Sequence, residues 1–545
     1  MRHCSRIFLL SALAAAAFML GGCSRSGLPS EDGSREDSSG GQTVTPTPEI
    51  TVEPAAEAVR GMKTGWNLYN TLDATAAPGL GSERSWGQPY TTPDLIQFIA
   101  EAGFGVVRVP VTWWNHMDSD WNVDPEWMER VAQVVGYVLD AGLYCILNVH
   151  HDTGDGPQWL HADYDRIGSI NSRFQALWSQ IAGHFRDYGG HLLFEAYNEI
   201  LDEGNNWNFA QNPKAYDAVN TLAQTFVNTV RATGGGNSSR NLVINTYAAA
   251  TGGVSWTADH DQVVANLKIP EDSAEGHLIV EVHSYDPYNW GVNHGKFTDG
   301  CLKVNADMFE RMQKYFISKG IPVIIGEFGP SGGDSHSPED CAEQVKYVNY
   351  FVSKAREYGI GTCAWMDYLD GVDRLVLRWT RPDLAETALK AWYGDSYILP
   401  HTGFESWTVD VSFSNQWAEY CLYTGDGLDM DVYKGFRLEL SGAPAAGDFQ
   451  IKMQTAAQFS GEVTSPDGQY PTVTGAVTGV IFDRSRFDGN VLWNINLQAC
   501  RSDLRVSVKR MVLLRHDGTE EEIPTGVDGA HSGWGCSVVS AHRNN

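Results

Sequence analysis

The chain has 545 residues, more than one ordinary domain needs, and 42% of them are hydrophobic, which is ample for a core. Its formal net charge of −28 argues against a nucleic-acid partner, because binding to phosphate needs a basic surface. Composition therefore favours a soluble globular chain of two or more domains.

The first residues have the pattern of an export signal. Arg2, His3 and Arg6 precede an apolar run over residues 7–20, which suits a signal peptide and is short for a membrane span. The run ends in Leu20-Gly21-Gly22-Cys23, which resembles the bacterial lipoprotein box. The resemblance implies a signal peptide over residues 1–22, a lipid on Cys23 and attachment to a membrane in the cell envelope, outside the cytoplasm, at the outer membrane or cell surface of a bacterium. Ordinary cleavage without a lipid is the alternative.

Residues 23–54 are rich in Ser, Gly, Glu, Asp, Thr and Pro, a composition typical of a disordered linker. After them, apolar strand-like runs alternate with amphipathic stretches such as 94–101 and 127–140. The strand-like runs begin near residue 62 and continue at 105–109, 144–149, 192–196, 242–245, 278–282, 323–325 and 362–365. These eight units predict an α/β fold, a (β/α)8 TIM barrel over residues 55–396. A doubly wound open sheet is disfavoured, because no glycine-rich phosphate loop follows the first strand.

The pattern changes after Pro400. Alternating runs at 435–440, 449–454, 491–497 and 504–514 lie between turns rich in Gly, Asp and Pro, which predicts an antiparallel β-sandwich over residues 402–545. A carbohydrate-binding module and a structural domain both remain open. Four tryptophans are available for stacking on sugar: Trp407, Trp417, Trp493 and Trp534. No CxxC pair occurs, so a structural zinc site is not expected, and Cys500 with Cys536 is a possible disulfide.

Two of the predicted barrel strands are followed by, or end in, a glutamate. Glu199 follows the run 192–196, and Glu327 ends the run that starts at residue 323. The carboxyl ends of barrel strands meet at one face, where barrel enzymes keep their active sites. The two residues therefore predict a carboxylate pair, the minimum equipment for hydrolysing a glycosidic bond.

Other strand ends carry polar or aromatic groups that suit a sugar site. They are Arg108, His150, His151, Asn198, His283, Tyr285 and Trp365. With Gly65-Trp66-Asn67-Leu68, Arg108-Val109-Pro110 and Gly326-Glu327-Phe328-Gly329, these motifs follow the order found in glycoside hydrolase family 5, which the region 55–396 resembles.

The resemblance implies a retaining glycosidase with Glu199 as general acid/base and Glu327 as nucleophile. It implies that Asn198 binds the sugar 2-hydroxyl, that Arg108 and Tyr285 orient Glu327, and that Trp365 forms a stacking floor. Asn67 would also touch the sugar, and His150, His151 and His283 would bind sugar or carboxylates, with His150 favoured over His151 to face the site. No cofactor or metal is implied. We expect a monomer.

The opening motif resembles that of bacterial endoglucanases and favours a β-1,4-glucan substrate: cellulose, mixed-linkage glucan or xyloglucan. β-Mannan is the second choice, and a non-catalytic glycan-binding lipoprotein is the alternative of another class. One departure from the motif is Tyr69, where the endoglucanase pattern has Gly, and we expect it to reshape the neighbouring loop. Six tryptophans are predicted in loops at the barrel mouth: Trp86, Trp113, Trp114, Trp159, Trp207 and Trp290.

Three further carboxylates could compete for a role. Glu195 and Glu281 share a strand face with Glu199 and His283, and we expect them to point into the barrel or pair with a base. Asp152 beside the two histidines 150 and 151 offers a metal hypothesis that lacks a third convergent ligand.

Overall fold

The computed structural model describes residues 50–544, apart from 155–157, 253–260, 287–295, 331–337, 366–370, 375–376, 403–405, 457–459, 464–469, 488 and 524–534. The proposed signal peptide, Cys23 and most of the linker lie outside the described residues, as do Trp290 and Trp534. Within the described part of the chain, no helix is long and apolar enough to cross a membrane.

Eight parallel strands close into a barrel in chain order, with β1 paired to β8. The strands are β1 (Thr64–Asn67), β2 (Val106–Val109), β3 (Tyr144–Asn148), β4 (Leu192–Glu195), β5 (Leu242–Asn245), β6 (Leu278–Ser284), β7 (Val323–Phe328) and β8 (Gly361–Ala364). The predicted barrel is confirmed, and each strand lies within a few residues of its apolar run.

The described helices are α1 (Ala55–Met62), α2 (Pro93–Glu101), α3 (Pro125–Asp140), α4 (Ile167–His184), α5 (Lys214–Ala232), α6 (Gln262–Asn266), α7 (Asp299–Tyr315), α8 (Pro338–Tyr358) and α9 (Pro382–Tyr393). Thr92 caps α2 by accepting from the Leu95 N–H at 3.2 Å, and Asp124 caps α3 in the same manner through the Glu126 N–H. A short hairpin, β9 (Val372–Asp373) with β10 (Arg378–Trp379), lies between β8 and α9.

The barrel interior begins as an apolar layer. Inward residues from seven strands, β2 to β8, form one buried cluster with the apolar face of α1, which closes the bottom of the barrel. Residues just before α1 are ordered against the same end: the Asn241 side chain donates to the Glu53 backbone carbonyl at 3.0 Å, and the Tyr144 hydroxyl bonds to the Glu53 carboxylate. The predicted end of the linker at residue 54 is therefore too late in the chain, because residues 50–54 already pack on the barrel.

The C-terminal part is a β-sandwich, as predicted. Its strands are β11 (Trp407–Phe413), β12 (Glu419–Asp429), β13 (Tyr433–Leu440), β14 (Phe449–Ala456), β15 (Ser460–Val463), β16 (Val477–Ile481), β17 (Val491–Ala499), β18 (Leu504–Arg515), β19 (Glu520–Ile523) and β20 (Cys536–Arg543). One sheet has the order β16-β13-β18-β11-β20 with β19 on β18, and the other has the order β12-β17-β14-β15. Their inner faces enclose a separate apolar core. Cys500 and Cys536 are both free thiols, so the possible disulfide between them is absent.

The sandwich packs on the barrel. Trp407, which opens β11, is buried within the main barrel cluster rather than available to sugar. A crevice between the two is lined by Tyr90 and Arg374 from the barrel and by Val539 from the sandwich. These contacts lie beside the loops that follow β1 and β8, on the side of the barrel where those strands end.

Candidate active site

Glu327 reaches the barrel mouth because β7 contains a β-bulge. Strand β6 alternates regularly, with Glu281 and His283 inward, but its pairing with β7 skips one residue between Ile325 and Glu327. Gly326 is the extra residue. With regular alternation through Gly326, Glu327 would share the outward direction of Ile325, whereas in the structure Phe328 packs outward and Glu327 points into the mouth. The bulge thus sets the direction of this carboxylate.

The Glu327 carboxylate is buried and held at both oxygens. The Tyr285 hydroxyl donates to Oε2 at 2.9 Å, and Arg108 Nη1 donates to Oε1 at 2.8 Å. Burial raises the pKa of Glu327, and the positive charges of His283 and Arg108 limit that rise. Burial and the charge of Glu327 also raise the pKa of Tyr285 well above its ordinary value, so its hydroxyl remains a neutral donor.

Arg108 lies fully buried beneath the site and donates hydrogen bonds to several of its residues. Its Nε and Nη2 form a bidentate pair with Glu195 at 2.7 and 2.8 Å, and Nη2 also donates to Asn198 Oδ1 at 2.9 Å. Burial by itself would lower the pKa of Arg108, but the charges of Glu195 and Glu281 outweigh it and keep the guanidinium charged. Arg108 therefore orients Glu327 and Asn198 at once and has no surface with which to touch substrate.

Asn67 also lies under the site, contrary to the expectation that it touches the sugar. Its side chain is fully buried, its Nδ2 donates to the Gly326 carbonyl at 2.9 Å, and its Oδ1 accepts from Arg108 at 3.1 Å. These bonds tie the end of β1 to the β7 bulge and to the arginine. Asn67 is a positioning residue for the bulge that carries Glu327.

Glu199 faces Glu327 across His283. His283 Nδ1 donates to Glu199 Oε1 at 2.9 Å and lies 3.6 Å from Glu327 Oε2, and its Nε2 lies 3.3 Å from Glu281 Oε1. Burial opposes a charge on His283, but Glu327, Glu199 and Glu281 raise its pKa to about 10. One ligand atom each of Glu199, His283 and Glu327 lies within 4.8 Å of the others, so the nearest oxygens of the two carboxylates are as close as the ~5–5.5 Å separation of a retaining pair requires.

His150 and Trp365 form a second wall. Their rings are parallel within 4° with centroids 5.6 Å apart. The Asn148 amide donates to His150 Nδ1 at 3.0 Å, so the ring proton is on Nε2, and burial keeps the pKa of His150 well below its ordinary value. His150 is thus a neutral ring that packs against Trp365.

His151 lies beside this wall, with its ring edge-on to that of His150 at a centroid distance of 4.5 Å. It is half-buried, its Nε2 lies 3.7 Å from Asp73 Oδ2, and its ring is 5.2 Å from that of the exposed Trp86. Asp73 is a third potential metal ligand that the sequence pattern did not reveal. Asp73, His150 and His151 each present a ligand atom within 4.8 Å of the other two. Asp152 instead accepts hydrogen bonds from the Trp113 backbone N–H and the Trp159 indole N–H.

Tyr69 does not enter the cleft. It is buried behind Trp365, with centroids 5.6 Å apart, and the Arg374 guanidinium lies 4.6 Å from its ring while donating to its backbone carbonyl at 2.9 Å. The Tyr69 side chain therefore packs against the Trp365 ring and does not itself line the cleft.

The layer of side chains directly under the catalytic pair is polar. It includes Glu195 and Glu281, which the sequence offered as competitors for a catalytic role. Glu281 Oε2 accepts from Asn245 at 3.1 Å, and Asn148 donates to Glu195 Oε1 at 2.9 Å. Burial, then the charge of Glu195, raises the pKa of Glu281 to about 7. Strand alternation predicts the inward direction of Asn148 and Glu281, which sit two positions before His150 and His283 on their strands.

The described tryptophans predicted at the mouth differ in exposure, and Trp159 is half-buried. Trp86, Trp114 and Trp207 are exposed in loops that follow β1, β2 and β4, whereas Trp113 is fully buried. The exposed rings are available to stack on a sugar chain.

Comparison with known proteins agrees with this geometry. Residues 61–367 match the family described as Cellulase (glycosyl hydrolase family 5). The chain is 38% identical to "Endoglucanase 1" of Ruminococcus albus over 356 residues, which cover 62% of this chain and 81% of that protein. Among solved structures, a family 5 enzyme from Prevotella bryantii B14, in complex with a xyloglucan tetradecasaccharide, is 40% identical, with a TM-score of 0.59 over 63% of this chain and 99% of that one. A broad-specificity endoglucanase from Ruminococcus champanellensis with bound cellotriose is 36% identical, with a TM-score of 0.57 over 63% and 99%. The chain belongs to glycosyl hydrolase family 5 and is a glycoside hydrolase.

Proposed function

We propose that the barrel is an endo-acting hydrolase of β-1,4-glucan-type polysaccharides and that it retains anomeric configuration. The observation that carries the proposal is the close approach of Glu199 and Glu327 around a charged His283. That spacing suits the ~5–5.5 Å separation of a retaining carboxylate pair, in which one carboxylate is the nucleophile, better than the ~6.5–9.5 Å of an inverting pair.

In the first step, Glu199 protonates the leaving glycosidic oxygen while Glu327 attacks the anomeric carbon. The bond to the leaving sugar breaks, and an ester to Glu327 forms. In the second step, Glu199 removes a proton from water, and the resulting attack releases the sugar and restores the free Glu327 carboxylate. Asn198, oriented by Arg108, is placed to donate to the sugar 2-hydroxyl.

The substrate class rests on the rings at the mouth and on the relatives. Trp86, Trp114 and Trp207 offer apolar faces for pyranose rings. Relatives are described as endoglucanases, as broad-specificity endoglucanases and as a xyloglucan-specific endo-β-1,4-glucanase. We therefore propose a glucan backbone with tolerance for mixed linkage or xyloglucan side chains.

Assays of the purified protein on barley β-glucan, carboxymethylcellulose, xyloglucan and mannan test the substrate. Turnover of at least one glucan above mannan is expected, and mannan as the preferred substrate would overturn the proposal.

Glu327→Gln should abolish turnover of activated aryl glycosides. Glu199→Ala should retain the first step on them and be partly rescued by azide, which attacks the ester. A first product of α configuration, seen by proton NMR, would contradict retention.

We also propose that the mature protein is anchored through a lipid on Cys23. Support comes from the apolar run and the Leu20-Gly21-Gly22-Cys23 motif. Labelled palmitate should be incorporated into the parent protein and not into Cys23→Ser, which should leave the membrane fraction. A parent protein that never takes up the label would contradict the anchor.

A further inference from the structure

The loop that follows β4 is closed on a single carboxylate. Asp202 Oδ1 accepts from the backbone N–H groups of Gly204 and Asn206, both at 3.1 Å, and Asp202 Oδ2 accepts from the N–H of Gln211 at 3.0 Å. The bond to Gln211 joins the two ends of residues 202–211, which we call the β4 loop. A surface loop whose ends meet in this way is a compact unit, and such loops are frequently functional.

The turn after β5 holds the same loop from its other side. Tyr247 is buried, and its hydroxyl accepts from the Asp202 N–H at 2.9 Å and donates to the Asn206 carbonyl at 2.6 Å. Ala248 donates its N–H at 2.9 Å to the carbonyl of the residue that follows Glu199. Because these hydrogen bonds tie both the loop and the chain beside Glu199 to one turn, the β4 loop has a fixed position next to that carboxylate.

Trp207 is the large apolar side chain that this loop exposes. It is 42% exposed, and the chain turns on either side of it at Asn205 and Asn208, which have φ values of 53° and 71°. Asparagine is among the few residues that adopt this left-handed conformation readily. Phe209, by contrast, packs against the barrel core. The loop is therefore ordered in a form that turns the phenyl ring inward and leaves the indole open to solvent.

The order of the strands puts Trp207 across the mouth from Trp365. Trp207 follows β4 and Trp365 follows β8, and these two strands lie on opposite sides of a closed barrel of eight. Glu199 is on the β4 side. A general acid gives its proton to the oxygen of the departing part of the substrate. The departing part of a polymer cleaved here therefore lies toward the β4 loop.

We propose that the β4 loop binds the departing part of the polysaccharide, with Trp207 as the platform for a pyranose ring and Asp202 as the positioning residue of the loop. The proposal rests on the function proposed for the barrel, because it takes Glu199 as the acid. An indole face packs on the apolar face of a neutral sugar without needing a charge. A substrate with sugars on both sides of the cleaved bond therefore gains more from the loop than an aryl glycoside, whose leaving group carries no sugar.

The first test measures kcat/KM of the full chain on cellohexaose and on an activated aryl β-cellotrioside. In Asp202→Ala the loop is released, and the ratio of the first constant to the second should fall about tenfold, the order of factor that a stacking contact supplies. The matched control is Asp272→Ala, which removes a carboxylate that binds Arg231 and the Ala274 N–H in the segment that enters β6 at the bottom of the barrel. The control should keep the parental ratio. A purely structural role of Asp202 would lower both constants alike.

The second test follows the position of cleavage in Trp207→Ala. On cellohexaose labelled at its reducing end, the variant should cut nearer to the label than the parent, because fewer sugars gain by lying on the departing side. If Asp202→Ala fails to fold, this test decides alone. An unchanged ratio in folded Asp202→Ala, or an unchanged cleavage position in Trp207→Ala, overturns the proposal. A parent that hydrolyses neither substrate would instead count against the function of the barrel.

Discussion

At the scale of single residues, the site has fewer cations than carboxyl groups. Buried Arg108 and His283 face Glu195, Glu281, Glu327 and the partly exposed Glu199. Two positive charges balance only two negative ones, so a neutral site requires protons on two of the four carboxyl groups. With a pKa raised to about 7, Glu281 is one of them, and it stays neutral beneath the reacting pair at mildly acidic pH.

Glu281→Gln tests this assignment, because the amide resembles the protonated acid. In the parent, the folded state keeps a proton on Glu281 that the unfolded state loses, so the free energy of unfolding falls as pH rises from its ordinary pKa of 4.5 to about 7. The lowered pKa of Glu195 acts in the opposite sense, at lower pH. The variant lacks this pH-dependent loss. Its free energy of unfolding should therefore rise relative to that of the parent by on the order of 1–3 kcal/mol as pH increases across that window. Urea unfolding at several pH values measures it, and parallel stability curves would contradict it.

Tyr69→Ala should remove support from one side of the Trp365 ring. Removal of the ring leaves a cavity next to Trp365 and takes away the face on which Arg374 lies. We expect a loss of about 3–5 kcal/mol in the free energy of unfolding and a lower kcat/KM on glucan. Tyr69→Phe keeps the ring and is the control, expected to stay within about 1 kcal/mol. Equal kinetics for the alanine variant and the parent would show that Trp365 does not depend on this support.

At the scale of elements, strand alternation and one local exception to it place the catalytic groups. The apolar runs predicted all eight barrel strands, because parallel strands buried on both faces are apolar over most of their length. The bulge at Gly326 could not be predicted in this way, since it depends on the partner strand. The expected sugar contact of Asn67 was wrong for a related reason: its neighbours in the closed barrel, Arg108 and Gly326, are far from it in sequence.

Gly326→Ala should displace the bulge relative to the rest of the site. A Cβ at position 326 would lie 1.5 Å from Glu281 Oε1, so the strand or the glutamate must shift. Because a displacement of about 1 Å in a reacting group can cost on the order of 100-fold in rate, we expect a loss of that size in kcat. The control is Gly136→Ala in α3, where a Cβ meets nothing within 4 Å and should be neutral or stabilising. A Gly326→Ala enzyme with parental kcat would contradict the coupling of Gly326 to Glu281.

At the scale of the whole molecule, the sandwich and the barrel are joined through an apolar contact. Alternation after residue 400 predicted the sandwich, but the burial of Trp407 in the barrel cluster could not be read from it, because an isolated tryptophan is equally compatible with sugar stacking. His401 adds a polar contact, with Nε2 2.7 Å from Glu101 at the end of α2. The sandwich therefore stabilises the barrel.

Trp407→Ala measures that contribution. Truncation of a buried tryptophan should lower the free energy of unfolding by about 3–5 kcal/mol, and loss of activity on heating should occur earlier on every substrate. Trp417→Ala, which removes an exposed ring from the same sandwich, should change stability by about 0.5 kcal/mol or less. Equal stability of the two variants would mean that the barrel does not rely on this contact.

The position of α1 has a consequence for how the enzyme meets its polymer. The chain reaches the barrel through residues 50–54 and α1, at the end opposite the mouth that holds Glu199 and Glu327. Residues 50–54 and α1 therefore cover the bottom of the barrel and leave its mouth free. Neither of them obstructs the entry of a long polymer into the cleft.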